Sequence, residues 1–140
     1  MMEDLLQPNL QYALFCTEFV ESSGHVSIVG VLDGADVRGT VQRGQPMPQK
    51  VFPLKLVLGI NAPAGNHRAM LGITRPSGGV MTTMDLESFD ILPGETVHRC
   101  IASLDMEVSE DGLYTFTVFL DGSQIGWAVL PMSFTVDFVD

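Results

Sequence analysis

The sequence is poor in charge, and above all in positive charge. Charged residues make up 17% of the chain, and 7 Lys and Arg residues stand against 17 Asp and Glu, which gives a formal net charge of -10. Because nucleic acids and anionic membranes both bind cationic surfaces, we expect neither as a partner. Apolar residues reach 46%. This share predicts either apolar surface that faces a partner or another copy, or a well-filled two-layer core.

Long apolar runs and cysteine are also scarce. No run approaches the roughly 20 residues that a bilayer-spanning helix needs, and the start of the chain carries Glu3 and Asp4 where a secretory signal is basic. The 2 cysteines, Cys16 and Cys100, each lie inside an apolar alternating stretch. This placement favours two buried free thiols in a reducing compartment, with an inter-sheet disulfide as the alternative. We expect a cytoplasmic protein.

Recognisable catalytic motifs are missing. The sequence has no nucleophile elbow, phosphate-binding loop, paired-histidine zinc motif or dinucleotide fingerprint. Of the 3 histidines, His25 and His98 are expected at strand ends, and His67 is the most site-like because it lies in a loop beside Arg68. A metal site that joins His67 to a carboxylate is a minor alternative, since no ligand spacing supports it. The chain is therefore predicted to be no enzyme and to bind no cofactor or metal.

Two acidic turn pairs leave a ligand-binding alternative open. Asp33 and Asp36 flank a glycine-containing turn, and Glu110 is followed by Asp111. Such pairs could join at one end of a β-sandwich to hold calcium or a sugar. Turn chemistry explains them equally well, because Asp and Gly favour turns for backbone reasons.

Residues 111–130 carry the clearest structural pattern in the sequence. Asp121-Gly122 supplies the two positive-φ residues of a tight hairpin turn. Before the turn, every second residue is apolar, and after it Ile125, Trp127 and Val129 are expected to return with the same alternation. The residues predicted to share one face before the turn are Tyr114, Phe116, Val118 and Leu120.

Further alternating stretches predict a sheet protein along the whole chain. Turn signals recur every eight to twelve residues and no segment has helical periodicity. We predict one domain over 1–140, an all-β, two-layer antiparallel β-sandwich with Greek-key, immunoglobulin-like architecture and about eight or nine strands. The remaining strands are expected at 10–20, 25–33, 51–59, 68–74, 80–86 with an extension towards 92, 98–108, and after Pro131.

Residues 34–50 are predicted to form one long loop. The segment contains several glycines, has prolines on both sides of Met47, and lacks periodicity. Loops of this length are uncommon unless they bind something or move. We therefore identify Arg38, Arg43, Met47 and Lys50 as a candidate partner-binding loop.

Charge is distributed in three blocks along the sequence. Residues 1–36 and 85–140 carry acids with Arg99 as their single base, whereas residues 37–84 carry bases and no acid. Opposite charges that interleave across a sheet explain such blocks. The alternative is a bipolar surface in which the basic loop of one copy meets the acids of another, an assembly that salt would weaken.

Two resemblances follow from these residues. Glu110, Gly112 and Tyr114 resemble the tyrosine corner of immunoglobulin-like domains. The stretches at 12–16, 24–31, 52–58 and 111–122 resemble a bacterial family of short all-β proteins known only as a domain of unknown function. That resemblance implies a bacterial or phage-related source and a sandwich fold, and it supplies no catalytic residue. We expect a non-catalytic interaction or assembly module that binds a protein partner or forms a homo-oligomer.

Overall fold

The computed structural model describes residues 7–23, 25–46 and 50–139, which form two β-sheets. The described residues contain no helix long and apolar enough to cross a membrane. One sheet has four strands in the order β2-β1-β4-β7, and the other has five in the order β3-β9-β8-β5-β6. The strands are β1 (Asn9–Ser22), β2 (His25–Leu32), β3 (Ala35–Gln42), β4 (Lys50–Asn61), β5 (Gly65–Thr74), β6 (Val80–Ile91), β7 (Val97–Val108), β8 (Gly112–Leu120) and β9 (Ser123–Val139).

The core lies between the two sheets and follows the predicted alternation. In β7 every second residue from Cys100 to Val108 is buried and the residues between them are largely exposed. In β8 the predicted row is buried, and Phe116 packs against Phe15 of the other sheet with ring centroids 4.8 Å apart. Burying such large aromatic and aliphatic side chains is the main stabilising contribution to this sandwich.

The architecture is an immunoglobulin-like β-sandwich, as predicted. The Tyr114 hydroxyl donates a hydrogen bond to the Glu110 carbonyl oxygen at 2.8 Å, which is the bond of a tyrosine corner. One strand pair departs from the antiparallel rule, because β3 runs parallel to the second half of β9. The first half of β9 pairs with β8 instead, so this long strand changes neighbours near Met132.

The prediction that residues 34–50 form one loop is wrong. Residues 35–42 are β3, an edge strand whose buried row is Val37, Gly39 and Val41. A glycine in that row and polar residues in the exposed row leave Ala35 and two valines as the apolar signal, too weak to reveal a period of two.

The predicted alternation after the hairpin turn is also wrong in phase. A β-bulge between Val118 and Phe119 sets Val118 opposite Gly126 and Phe119 opposite Gln124, so β9 has one extra residue there. Beyond the bulge Trp127 faces solvent and Leu130 faces the core. Pro131 does not interrupt the strand either, since it lies at an exposed position within β9.

The four-stranded sheet carries a second, smaller buried layer on its outer side. Cys16 and Val57 are buried there, outside the main core cluster. The Tyr12 ring lies against Gly59, where an added Cβ would stand 2.2 Å from a ring carbon, so only glycine fits beneath it. The Lys55 ammonium lies 5.9 Å from the Phe19 ring centroid, within reach of a cation–π contact between β4 and β1.

Candidate functional site

The structure does not bring the predicted basic residues together in one loop. Arg38 lies on β3 at an exposed position opposite Thr135, and Arg43 follows in the turn, where its backbone N–H donates to the Val139 carbonyl at 3.2 Å. Lys50 begins β4 in the four-stranded sheet, where it pairs with Val108 of the neighbouring strand β7. Met47 lies outside the described residues. Within the described residues, Arg38 and Arg43 therefore lie on an edge strand and in the turn that follows it, and not in one long loop.

His67 is the buried histidine of this protein, and both of its ring nitrogens lie within hydrogen-bonding distance of an oxygen atom. Nδ1 lies 2.7 Å from Asp121 Oδ2, and Nε2 lies 2.7 Å from the Pro63 carbonyl oxygen. Both partners are acceptors, so both contacts are hydrogen bonds only when the ring is a doubly protonated imidazolium. A histidine held in this way joins two turns and has no nitrogen left for a metal or for proton transfer from a substrate.

The pKa values of this pair move in opposite directions. Burial lowers the pKa of His67, but the hydrogen bonds to Asp121 and Pro63 and the nearby carboxylates outweigh it, and the pKa lies above the ordinary 6.5. Burial raises the pKa of Asp121, but the bonds from His67 and from the Arg68 backbone N–H outweigh that effect and lower it below 3.8. The pair is therefore favoured in its charged form.

A second histidine closes the sandwich beside this pair. His98 of β7 stacks on Phe89 of β6 with ring centroids 3.9 Å apart and planes within 5°, and its Nε2 lies 2.9 Å from Glu87 Oε1.

Burial, reinforced by the hydrogen bond to Glu87, raises the pKa of the Cys100 thiol to about 12. A thiol with this pKa is protonated and unreactive. In the part of the chain that the structure describes, no three His, Cys, Asp or Glu side chains converge as a metal site.

The two acidic turn pairs approach one end of the sandwich, and the carboxylates of one pair, Glu110 and Asp111, accept hydrogen bonds from neighbouring segments. Asp36 and Gly112 line the same shallow depression. Glu110 accepts hydrogen bonds from the Ser77 backbone N–H and hydroxyl, at 3.2 and 2.9 Å. Asp111 accepts one from the Phe134 backbone N–H. These bonds hold the turn at Glu110 and Asp111 in place, as the turn-chemistry interpretation of this pair predicts.

The outer surface of the five-stranded sheet carries rows of uncharged side chains, centred on Trp127. Trp127 is 63% exposed and lies opposite Thr117, which lies opposite Gly72. The Phe119 ring packs over Gly72, and Arg68 forms an ion pair with Asp85 at 2.8 Å at the boundary of this surface. We call this surface the Trp127 face; it comprises Leu113, Thr115, Thr117 and Phe119 of β8, Trp127, Val129 and Pro131 of β9, and Met70, Gly72 and Thr74 of β5.

The apolar surface continues from the Trp127 face around the edge of the sandwich. Val129 also lines a depression of about 300 Å³ together with Leu14 and Val31. These three side chains are 39%, 37% and 54% exposed. A tryptophan and several aliphatic side chains that adjoin one another on a surface are typical of a protein-interaction site.

The charge blocks of the sequence interleave in space. The basic strand β4 lies between β1 and β7, β5 lies between β6 and β8, and β3 lies beside β9. The strands β3, β4 and β5, which hold bases of the central block, therefore each neighbour a strand with acidic residues, the sheet arrangement that explains the block pattern.

Comparison with known proteins gives likeness of fold only. No family model and no curated protein matches the sequence. The Pseudomonas fluorescens alkylpurine DNA glycosylase AlkC, solved bound to DNA containing an abasic site analogue, aligns with 68% of this chain at 15% identity and a TM-score of 0.49. This chain covers 28% of that enzyme.

Two further structures extend the comparison. An immunoglobulin-like protein from Pseudomonas aeruginosa aligns over 91% of this chain and 97% of its own, at 11% identity and a TM-score of 0.40. A β-glucosidase from Listeria innocua, in complex with glucose, covers 90% of this chain with 17% of its own, at 11% identity and a TM-score of 0.36. Identities and scores this low carry no functional argument.

Sequence reasoning missed the Trp127 face because it assigned Trp127 to the core. One signal was present: if Tyr114 and Phe116 point inward, then Leu113, Thr115, Thr117 and Phe119 point outward, and this outward row contains no charged residue. An uncharged solvent-facing row in a chain of net charge -10 marks a surface that can be buried.

Proposed function

We propose that this protein is a non-catalytic interaction module that self-associates through the Trp127 face. The observation that carries the proposal is the 63% exposure of Trp127 within an uncharged row of sheet residues. Tryptophan is the residue most enriched at the energetic centres of protein interfaces. An exposed indole has no role in folding that would account for its position.

The partner that fits best is a second copy of the chain. Two Trp127 faces that meet about a two-fold axis would bury threonine, aliphatic and aromatic groups and no unpaired charge, which avoids the cost of desolvating ions. A contact that instead used the acidic surfaces of two chains, each of net charge -10, would bring like charges together. Self-association through the neutral face is therefore the favoured contact.

The size of the face indicates a weak dimer. By ordinary strand rise and spacing, the face measures about 20 Å along the strands and about 15 Å across its three strands. Stable protein interfaces bury about 800 Å² on each partner, so the face alone is smaller than such an interface. We expect an association that depends on concentration in the micromolar range, and one that strengthens with salt, because salt screens the repulsion between the acidic bodies.

Sedimentation velocity at several protein concentrations tests this proposal. The wild type is expected to form dimers, and Trp127→Ser is expected to remain monomeric with the same unfolding midpoint. Val51→Ser, at a position 58% exposed on the other sheet, is the matched control and should dimerise like the wild type. Since Trp127 is the only tryptophan, its fluorescence emission should shift to the blue as the dimer forms.

Two results would reject the proposal: a wild type that stays monomeric at every concentration, or a Trp127→Ser variant that dimerises as well as the wild type. The salt response separates it from the bipolar assembly suggested by the sequence. An isologous contact through a neutral face strengthens as salt rises from about 0.05 M to about 0.5 M, whereas a contact between basic and acidic patches weakens.

A further inference from the structure

The side of the sandwich between β6 and β7 is open. Among residues 7–23, 25–46 and 50–139, each of these strands lies at the end of its sheet, so β6 is paired only with β5 and β7 only with β4. An edge strand presents a row of backbone N–H and C=O groups that can pair with another strand. The two edges face one another across the gap between the sheets.

Side chains cover one end of this open side, and the other end is accessible. At the closed end, His98 of β7 stacks on Phe89 of β6 and contacts Glu87. At the other end, a groove of about 490 Å³ runs between the strands. Ile73 and Met84 form one wall, and Leu104 and Met106 form the other. The accessible length of β7 is the part beyond the histidine, around residues 103–107.

The rim of the groove carries charges without partners. Asp105 and Glu107 lie on β7 at exposed positions, and Arg75 lies on the opposite rim. Within the described residues, none of these three side chains makes a hydrogen bond or an ion pair. Two carboxylates that alternate along an edge strand repel another acidic strand and attract a basic one.

We propose that the free edge of β7 binds an extended basic peptide as a fifth strand of the four-stranded sheet. Backbone pairing with residues 103–107 supplies the main attraction, as in other recognition by strand addition. Alternate apolar side chains of the peptide enter the groove over Met84 and Met106, where methionine adapts to different shapes. The intervening Lys or Arg side chains lie beside Asp105 and Glu107.

Another copy of this chain does not fit this edge. Its net charge of -10 opposes the two carboxylates, and the acids of β7 itself would face those of a second β7. The inference is separate from self-association through the Trp127 face. It deepens the proposed interaction role by assigning a different partner, a basic extended segment of another protein, to a different surface.

The probe is an acetylated octapeptide of alternating Val and Lys, titrated into the isotope-labelled full chain by NMR. The amide signals of residues 103–107 and the methyl signal of Met84 are expected to shift, while those of β3 stay in place. A peptide of the same composition with its four lysines consecutive is expected to bind at least about tenfold more weakly, since it cannot alternate apolar and basic side chains.

Two protein variants with the same change in charge test the electrostatic part. Asp105→Asn/Glu107→Gln is expected to weaken peptide binding about tenfold at low salt, the sum of two cross-strand charge pairs. Asp36→Asn/Asp137→Asn, which removes two exposed acids from the β3–β9 region, should leave the affinity within about twofold. Equal effects of both double variants would mean that the peptide binds by overall charge, and would overturn the proposal.

Two N-methylated peptides test the backbone pairing. Methylation of every Val nitrogen or of every Lys nitrogen removes the donors of one strand edge, because alternate residues point to opposite edges. One of the two peptides is expected to lose binding and the other to keep it. If both bind as well as the parent, no strand is added and the inference fails. Loss of dimerisation in Trp127→Ser with unaltered peptide binding shows that the two surfaces act independently.

Discussion

The His67 imidazole is hydrogen-bonded to the carboxylate of Asp121, a residue 54 positions further along the chain. The same carboxylate accepts a hydrogen bond from the Arg68 backbone N–H at 2.9 Å through its other oxygen. Asp121 is the first residue of the β8–β9 turn, and its φ of 51° is a left-handed backbone conformation that few residues other than glycine adopt. The pair thus holds the start of β5 against this turn, which is a structural role for His67.

The stabilisation from His67 is expected to depend on pH in two directions. Its pKa is raised in the folded state, so its contribution is complete below about pH 6.5 and is lost as the pH rises through the folded-state pKa. The pKa of Asp121 is lowered, so its contribution is present above about pH 3.8 and is lost as the pH falls through the folded-state pKa. The pair stabilises the fold most between these limits.

The variant His67→Gln measures this effect. Urea unfolding at about pH 5.5 should show a loss of about 1–3 kcal/mol, the usual cost of removing a buried charge-assisted hydrogen bond, and a smaller loss at about pH 8.5. His25→Gln, at an exposed histidine of β2, serves as the control and should cost little at either pH. A loss for His67→Gln that is the same at both pH values would contradict the imidazolium assignment.

Tyr114→Phe is expected to destabilise the protein without changing its function. The substitution removes the 2.8 Å hydrogen bond to the Glu110 carbonyl while the ring remains in the core. The carbonyl then lacks this partner, so the free energy of unfolding should fall by about 1–2 kcal/mol with an unchanged denaturant slope. Tyr12→Phe, whose hydroxyl makes no hydrogen bond within the described residues, should be close to neutral. Similar losses for the two variants would argue against a stabilising corner.

Gly122→Ala tests the hairpin turn. Gly122 has a φ of 86° and nothing within 4 Å of an added Cβ, so any cost arises from the backbone conformation alone. We expect a loss of about 1–2 kcal/mol, the usual penalty for a left-handed residue other than glycine. Gly79→Ala is the control, because an added Cβ there meets only the Arg75 guanidinium at 3.8 Å, an ordinary contact. Thermal unfolding of the two variants gives the comparison.

Cys16 and Cys100 are expected to resist alkylation until the protein unfolds. Burial raises the pKa of both thiols, although Lys55 opposes the shift at Cys16. Both thiols are free, and they lie on opposite faces of the four-stranded sheet, so the alternative of a disulfide between them is wrong. Iodoacetamide labelling followed by mass spectrometry should show both cysteines reacting together at the rate of global opening. Rapid labelling of either thiol in the native protein would contradict its burial.

Most of the fold could be predicted from alternation and turn chemistry. The β8–β9 hairpin turn and the half-buried strand β7 follow directly from local residues, because a period of two and an Asp-Gly turn are properties of consecutive positions. The candidate sites were harder to predict. The segment predicted as a basic loop contains β3 and the turn that follows it. The sequence did not reveal this edge strand, because glycine in its inward-facing row leaves few apolar residues there.

The sequence alone determined the number of β layers, the burial of Tyr114 and Phe116, and the shortage of positive charge, since each depends on residues near one another in the chain. Only the tertiary structure decided which side of β9 bears Trp127, since one bulged residue reverses the face of every residue beyond it. The tertiary structure also decided that the His67 ring lies between Asp121 and Pro63, with one nitrogen close to an oxygen of each. It further decided that β7 and β6 lie at the edges of their sheets. These features are set by contacts between distant strands, and no local pattern encodes them.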